Sequence, residues 1–389
     1  MSRRIHRVTI VTRLFTPEAA AAAFRLRALG RALVASGAEV RVITTRPPGG
    51  LAPDDPPGLS VSRWPVLRDD QDNVRGYLSY LSFDVPALVR SLTSGRADVV
   101  VVEPPPTTGL VGVLAAAVRR SRLVYYAGDI WSDGAAAAGA SRAVVGLLRR
   151  AERRVVARAD VVLAVSVGVA ERVRELGACQ VSVVGNGVDT EIFHPAVAPA
   201  SPPGRPLLVY AGTMSEWQGV EVFVQAAALL REAHPDLRLV LVGQGSEAPR
   251  LRALAAELVP GAVEVRPPVP PAEAARWLRS ADAALVSIVP GRGYDFARPT
   301  KVYAAAAVGT PVVFAGVGAG AELVTREGLG VAAGHRPDLV AAAIDSVIRR
   351  PRDDAGAAAR RAAVVQQKYS LDAAAQRAAA AVLGTLTDG

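Results

Sequence analysis

Short apolar runs recur along this chain, and stretches in which apolar positions repeat with the period of a helix follow most of them. Val8 to Thr12 is such a run, Glu18 to Ser36 carries a helical apolar face, and Glu39 to Thr45 (EVRVITT) is a second strand. The rhythm continues through the strand Asp98 to Val102, the helix Thr108 to Arg119, the strand Arg122 to Tyr126, the helix Arg142 to Arg158, and the strands Asp160 to Val165 and Val181 to Val184. Alternation of this kind predicts a mostly parallel sheet covered by helices on both faces.

Pro195 to Pro206 (PAVAPASPPGRP) is dense in proline and carries no period. After it the rhythm resumes with strands at Leu207 to Ala211, Leu237 to Val242, Ala262 to Arg266 and Ala283 to Pro290, and with helices at Gly219 to His234, Ala248 to Leu258 and Ala272 to Ser280. A short alanine-rich helix opens at Arg298-Pro299-Thr300-Lys301 and stops at Gly309-Thr310-Pro311, before the strand Val312 to Phe314. The expected organisation is α/β: a first doubly wound domain over residues 1–195, a linker over 196–206, and a second doubly wound domain over 207–370. A terminal helix over 371–389 packs back on the first domain in this scheme, and the two Rossmann-like domains face each other across a cleft.

With 389 residues, half of them apolar, the chain has enough material for two cores. Cys179 is the single cysteine, which excludes a disulfide framework and a cysteine-rich metal site and suits a reducing compartment. No apolar run reaches the roughly 18–20 residues that cross a bilayer, and Met1 to Arg7 leads into a strand, so a cytoplasmic protein that does not span the membrane is expected. The formal charge of +9 suggests anionic company, although an arginine-rich genome would give the same excess. Arg149, Arg150, Arg153, Arg154 and Arg158 alternate with Leu147, Leu148, Val155 and Val156 on one helix, either a solvated face over a buried stripe or a surface that leans on anionic lipid at the inner face of the membrane. Aromatic residues are only 5% and no nucleic-acid motif is present, so nucleic acid is not expected as a partner.

In open parallel sheets ligands gather beyond the carboxyl ends of the strands. Four such ends carry candidate chemistry. Phe15-Thr16-Pro17-Glu18 precedes a run of alanines, where small residues let a ligand approach or simply favour a helix. Ala127-Gly128-Asp129-Ile130-Trp131 ends another strand, and Asp129 there either takes a proton or holds a hydroxyl, or caps the next helix. Gly212-Thr213 and Gly243-Gln244-Gly245 follow successive strands of the second half. With Lys301 at a helix start, where backbone N–H groups and the positive end of the dipole converge, they form a candidate anion site.

Val183-Val184-Gly185-Asn186-Gly187-Val188-Asp189, followed by Phe193 and Pro195, resembles the interdomain signature of the retaining nucleotide-sugar glycosyltransferases of the GT-B fold, family 4. The likeness extends over nearly the whole chain, through Phe15 to Glu18 and Arg25, Glu103-Pro104-Pro105, Asp129-Ile130-Trp131, Tyr210 to Thr213, Trp217-Gln218-Gly219, Val242 to Gly245 and Pro299-Thr300-Lys301. It is strongest to the colanic-acid and L-fucosamine transferase-like subgroup.

The resemblance implies a GT-B glycosyltransferase that moves a sugar from a UDP or GDP donor to a lipid-linked glycan or a small-molecule acceptor, with no cofactor and no bound metal. It implies Asp129 and Lys301 as catalytic residues, Glu18, Arg25 and Trp131 on the acceptor side, and Gly212, Thr213, Gln218, Gly243, Gly245, Asp295, Arg298, Thr300 and Glu322 on the donor side. Two departures stand out. Gln218 replaces a common lysine, and Phe296 and Ala304 fill the places of two glutamates spaced eight apart, the second of which usually holds the ribose. Asp295 and Glu322 are the candidates to compensate, and a non-catalytic sugar-nucleotide binder or partner subunit is the alternative.

Overall fold

Runs such as Val99–Val102, four valines in succession, have no polar face to offer water and are stable only as strands covered on both sides. A computed structural model, describing residues 5–386 apart from 19, 50, 54, 70, 71, 73, 75, 138, 201–204 and 351–354, shows them in that setting. In the first half β1 (Arg7–Val11), β2 (Glu39–Thr45), β3 (Leu59–Trp64), β4 (Val99–Val102), β5 (Arg122–Ala127), β6 (Val161–Ala164) and β7 (Val181–Val183) form one parallel sheet in the order β3-β2-β1-β4-β5-β6-β7. The helices between them are α1 (Ala21–Ala35), α2 (Tyr77–Thr93), α3 (Pro106–Arg119), α4 (Trp131–Ala137), α5 (Arg142–Val156) and α6 (Val167–Glu175).

The second half repeats the plan. Its strands β8 (Leu207–Ala211), β9 (Arg238–Val242), β10 (Val263–Arg266), β11 (Ala283–Ser287), β12 (Val312–Ala315) and β13 (Gly330–Ala333) pair in parallel in the order β10-β9-β8-β11-β12-β13. Its helices are α7 (Glu221–Leu230), α8 (Ala248–Leu258), α9 (Pro271–Ser280), α10 (Thr300–Ala307), α11 (Ala319–Arg326), α12 (Pro337–Ile348) and α13 (Ala355–Lys368), and α14 (Leu371–Gly384) closes the chain. Both sheets reverse direction of growth once, between β1 and β4 in the first and between β8 and β11 in the second.

The chain divides into two compact units. The first runs to Asn186 and resumes at Leu371, and the second runs from Gly187 to Ser370. Residues 187–200, which the proline pattern divides between the first domain and the linker, therefore lie in the second unit. Ala200 N donates to Arg276 O at 3.2 Å, and Arg279 Nε donates to Pro195 O at 3.0 Å, which ties this segment to α9. Residues 201–204 of the expected linker lie outside the described residues.

Helix α14 belongs to the first unit, where Ala378, Ala379 and Val382 join Leu26, Leu29 and Leu33 of α1 in one core with Ile10, Val42 and Val124. Its small residues let it lie close to α1, and Arg377 Nε donates to Val184 O at 2.8 Å beside the end of β7. Ala378 is fully buried. Ala378→Glu should cost about 3–5 kcal/mol by placing an unpaired charge in that core, whereas Gln376→Glu on the exposed side should stay within about 0.5 kcal/mol. Denaturant unfolding of the two variants checks this, and equal stability would mean that α14 does not pack as described.

Candidate functional site

At the reversal of the second sheet, neighbouring strands send the chain toward opposite edges and leave a crevice beyond their carboxyl ends. Gly212 leaves β8 at that place with φ +141°, a conformation that side-chain-bearing residues avoid, and its amide donates to Val242 O at 2.8 Å. A Cβ on Gly212 would stand 2.3 Å from Lys301 Cε, and one on Gly243 would stand 1.9 Å from the Gly212 carbonyl oxygen. The glycines thus allow two strand ends and a lysine stem to meet. Beyond them Met214 N donates to Gln244 O at 2.8 Å, which joins the turn carrying Thr213 to the turn before Gly245.

Lys301 is the second residue of α10, a helix with no side-chain cap, and it is half-buried. Its Nζ donates to the Tyr210 hydroxyl and to Thr213 O at 3.2 Å, and it stands 4.1 Å from the centroid of the Tyr210 ring. The Tyr210 hydroxyl in turn donates to Thr213 O. No carboxylate pairs with Lys301 among the described residues, and burial brings its ammonium down from 10.5 to about 7. Burial likewise pushes the Tyr210 phenol above its ordinary range. Thr300 starts the same helix, and Arg298 just before it has a buried Nε without a hydrogen-bond partner.

The remaining donor-side candidates are placed differently. Gln218 is buried: its Oε1 accepts from Ser215 N at 3.0 Å and its Nε2 donates to Thr213 Oγ1 at 3.0 Å, so it shapes the Thr213 turn from behind. Asp295 closes its own loop by accepting from Gly291 N at 3.1 Å, and its carbonyl accepts from Ala319 N at 2.9 Å. Glu322 is exposed in the first turn of α11. Trp217 and Tyr294 were not among the candidates for binding, yet their rings stack at 4.3 Å between centroids and join the turn before Gly219 to the loop after β11.

The reversal of the first sheet is filled by its own polar groups. Thr12 Oγ1, just beyond β1, donates to Glu103 Oε1 at 2.6 Å, and Arg25 Nη2 donates to Glu103 Oε2 at 3.3 Å. Burial raises the Glu103 carboxyl, against the pull of Arg25, Thr12 and Arg13, and Asp129 adds to the rise. Arg25 also stands 5.0 Å from the Tyr126 ring centroid. Arg13 escapes sequence reasoning and Glu103 enters it only through the family likeness, because nothing in spacing tells that the two converge here. Glu18 is nearly buried and engaged, with Arg68 Nη2 at 3.1 Å and Thr45 Oγ1 at 3.2 Å, so it braces the loops that follow β1 and β2.

Asp129 follows β5, and the helix after it is capped by another residue. Trp131 N and Ser132 N donate to Glu152 Oε1 and Oε2 at 2.6 Å and 3.1 Å, which leaves the Asp129 carboxylate to other work. Desolvation by the surrounding protein raises the Asp129 carboxyl, opposed by Arg25, Arg13 and a hydrogen bond from the Trp131 side chain. Water reaches the residue and limits that desolvation. Trp131 meets Tyr80 edge to face at 5.8 Å, and the Arg13 guanidinium lies 4.4 Å from the Tyr80 ring centroid. The first unit therefore brings Asp129, Arg25 and Trp131 to one group of strand ends, and Glu18 stands at the neighbouring loops. Among the described residues no cluster of three or more His, Cys, Asp or Glu could hold a metal ion.

Two doubly wound parallel sheets in one chain are the plan of the GT-B class, and the strand-end lysine and glycine turns suit it. Residues 20–187 match the glycosyl transferase 4-like domain and residues 205–350 match glycosyl transferases group 1, two glycosyltransferase domain matches in succession along the chain. It is 32% identical over 190 residues to a D-inositol 3-phosphate glycosyltransferase of Thermobispora bispora, covering 44% of this chain and 43% of that one. It is 30% identical over 249 residues to a GDP-mannose-dependent alpha-(1-6)-phosphatidylinositol dimannoside mannosyltransferase of Mycobacterium tuberculosis, covering 62% and 60% of the two chains. The chain spans about half the length of the curated relatives it matches. In fold it is similar to sucrose-phosphate synthase from Thermosynechococcus elongatus, with a TM-score of 0.76 at 18% identity over 99% of this chain and 100% of that one.

The lowered lysine has a measurable consequence. Between about 7 and 10.5 the unfolded chain holds a proton on Lys301 that the folded chain lacks, so stability should rise with pH across that window. Below it both states are protonated and the charge is buried at a cost. In Lys301→Met this part of the rise should vanish from urea-unfolding free energies, and an identical pH slope in both proteins would show that Lys301 is not desolvated.

Proposed function

We propose that the protein is a retaining glycosyltransferase that moves a sugar from a nucleoside diphosphate sugar, with UDP or GDP as carrier, to a lipid-linked glycan or small-molecule acceptor. The observation that carries this reading is Lys301, a half-buried lysine with no carboxylate partner among the described residues, at the start of α10 and at the reversal of the second sheet. A diphosphate set against it supplies the missing negative charge, restores the ammonium, and meets the start of α10 and Arg298 as further positive groups. The GDP-mannose-dependent relative supports GDP and a lipid-linked acceptor among the alternatives.

In the proposed step the bond from the anomeric carbon to the diphosphate oxygen breaks, and an acceptor oxygen bonds to the same face of that carbon. The acceptor's proton passes to the departing diphosphate. Lys301, Arg298 and Thr300 hold the charge that develops on the diphosphate, so this step uses no resident metal. Gly212, Gly243 and Gly245 keep the backbone turns low enough for the donor to approach, and Thr213 with Gln218 behind it sets their shape. Asp295 and Glu322 stand as candidates for the ribose, in place of the glutamate absent at Ala304. On the first unit Asp129 orients the acceptor hydroxyl or the sugar, and Arg25, Trp131 and Glu18 shape the acceptor side. A cytoplasmic location and membership of the colanic-acid or L-fucosamine transferase-like subgroup belong to the same proposal.

Gln218 favours a second reading. Its side chain is bonded within its own turn, and with Phe296 and Ala304 it leaves fewer charged contacts for a donor, as a non-catalytic sugar-nucleotide binder would. A panel of UDP-, GDP- and dTDP-sugars, assayed for binding by calorimetry and for transfer or hydrolysis by product analysis with and without chelator, separates the two. Transfer with retained anomeric configuration is expected, unchanged by chelator, and Lys301→Ala should lower kcat about 100- to 1,000-fold. Binding without turnover of any donor would establish the binder, and turnover untouched by Lys301→Ala would remove the proposed role of the lysine.

A further inference from the structure

From Leu78 to Val89 the outward face of α2 is apolar. Between Leu78 and Val89 every exposed position is leucine or valine: Leu78, Leu81, Val85 and Val89, between 53% and 75% exposed. Their spacing of three and four residues sets them in one row along the helix. The neighbouring α3, which packs against α2, continues the surface with Leu114 and Val118, and its one other exposed residue is Ala117. Scattered exposed leucines are ordinary, but a contiguous row over two packed helices marks an interaction surface.

Charge selects the occupant. Helix α5 also packs against α3 and exposes Arg150, Arg153 and Arg154, with Leu147 at 65% exposure on the same helix. The acidic residues of the three helices are Asp84 and Glu152, and both are buried: Asp84 accepts from Thr108 Oγ1 at 2.6 Å, and Glu152 caps α4. The three helices thus expose aliphatic side chains and arginines and no carboxylate of their own, and Asp133 of the adjoining α4 is paired with Arg149 and Arg172. A second copy of the chain would set arginine against arginine. An anionic lipid surface accepts both components at once, the aliphatic row among acyl chains and the arginines among headgroup phosphates.

We propose that the face formed by α2, α3 and α5 docks the protein on an anionic membrane surface, with the α2 row inserted and α5 lying along the headgroups. No described helix is long and apolar enough to cross a membrane, so contact of this kind is interfacial. The proposal stands independently of the transferase reading, because docking requires neither donor nor acceptor.

Co-sedimentation of the full chain with phosphatidylcholine vesicles containing phosphatidylglycerol, against phosphatidylcholine alone, tests it at low and high salt. Binding should require the anionic lipid and weaken with salt. The double variant Leu81→Glu/Val85→Glu should lower the partition coefficient at least about tenfold, and Arg150→Gln/Arg154→Gln should lower it at low salt and match the parent protein at high salt. These positions are exposed, so circular dichroism and the thermal midpoint should be preserved; Leu81→Ser/Val85→Ser provides a milder pair with the same expected direction. Absence of binding to anionic vesicles would overturn the proposal. So would binding that the α2 variants leave unchanged, or a lipid-free dimer, dispersed by Leu81→Glu/Val85→Glu, in a protein that ignores vesicles.

Discussion

A parallel sheet covered by helices on both faces leaves its strands only their ends at which to meet water and ligands. In this protein the constraint applies twice. Strands such as β4 and β9 are apolar because they lie between helical layers, and polar chemistry is expelled to the turns that follow β1, β4 and β5 in one unit and β8, β9 and β11 in the other. Thr12, Glu103, Asp129, Gly212 and Gly243 all follow directly on strands or stand within two residues of them. Their clustering is a consequence of layer packing before it is a matter of function.

The two reversals are electrically unlike. In the first unit Thr12 and Arg25 both donate to Glu103, so a buried carboxylate there faces a guanidinium, although Nε of Arg25 is left without a hydrogen-bond partner. In the second unit Lys301 meets a phenol and a carbonyl, both neutral, with no carboxylate beside it among the described residues, and a positive charge there is costly. One reversal thus holds a carboxylate with its counter-charge, and the other holds a cation without one among the described residues.

Much of the fold was legible because buried strands such as Val99–Val102 admit few other arrangements, and the turn glycines of the second half are required by contacts of under 2.5 Å that any side chain would make. What the pattern missed has physical reasons. Strand β3 is an edge with alternate residues exposed, and α2 hides its helical period because its outward positions are as apolar as its inward ones and Pro86 sits inside it. Among site residues, Lys301 and Asp129 announce themselves by following strands or opening a helix. The cap of α4 does not, since Glu152 reaches it from 21 residues further on than Trp131, and only tertiary structure brings the two together. Tyr210 is similarly invisible: in sequence it is one more apolar strand residue, and its hydroxyl gains meaning only beside Nζ of Lys301.

Helix α14 gives the molecule a temporal property. The second unit is a single continuous stretch from Gly187 to Ser370, whereas the first is completed only by the segment that begins at Leu371. On the ribosome the second unit has all its residues before the first has its last helix, although the first begins to emerge earlier. Until then the apolar face of α1, with Leu26, Leu29 and Leu33, lacks the cover that Ala378, Ala379 and Val382 supply. The domain begun first is thus the domain finished last, and a prematurely released chain would carry a whole second unit joined to an open first one.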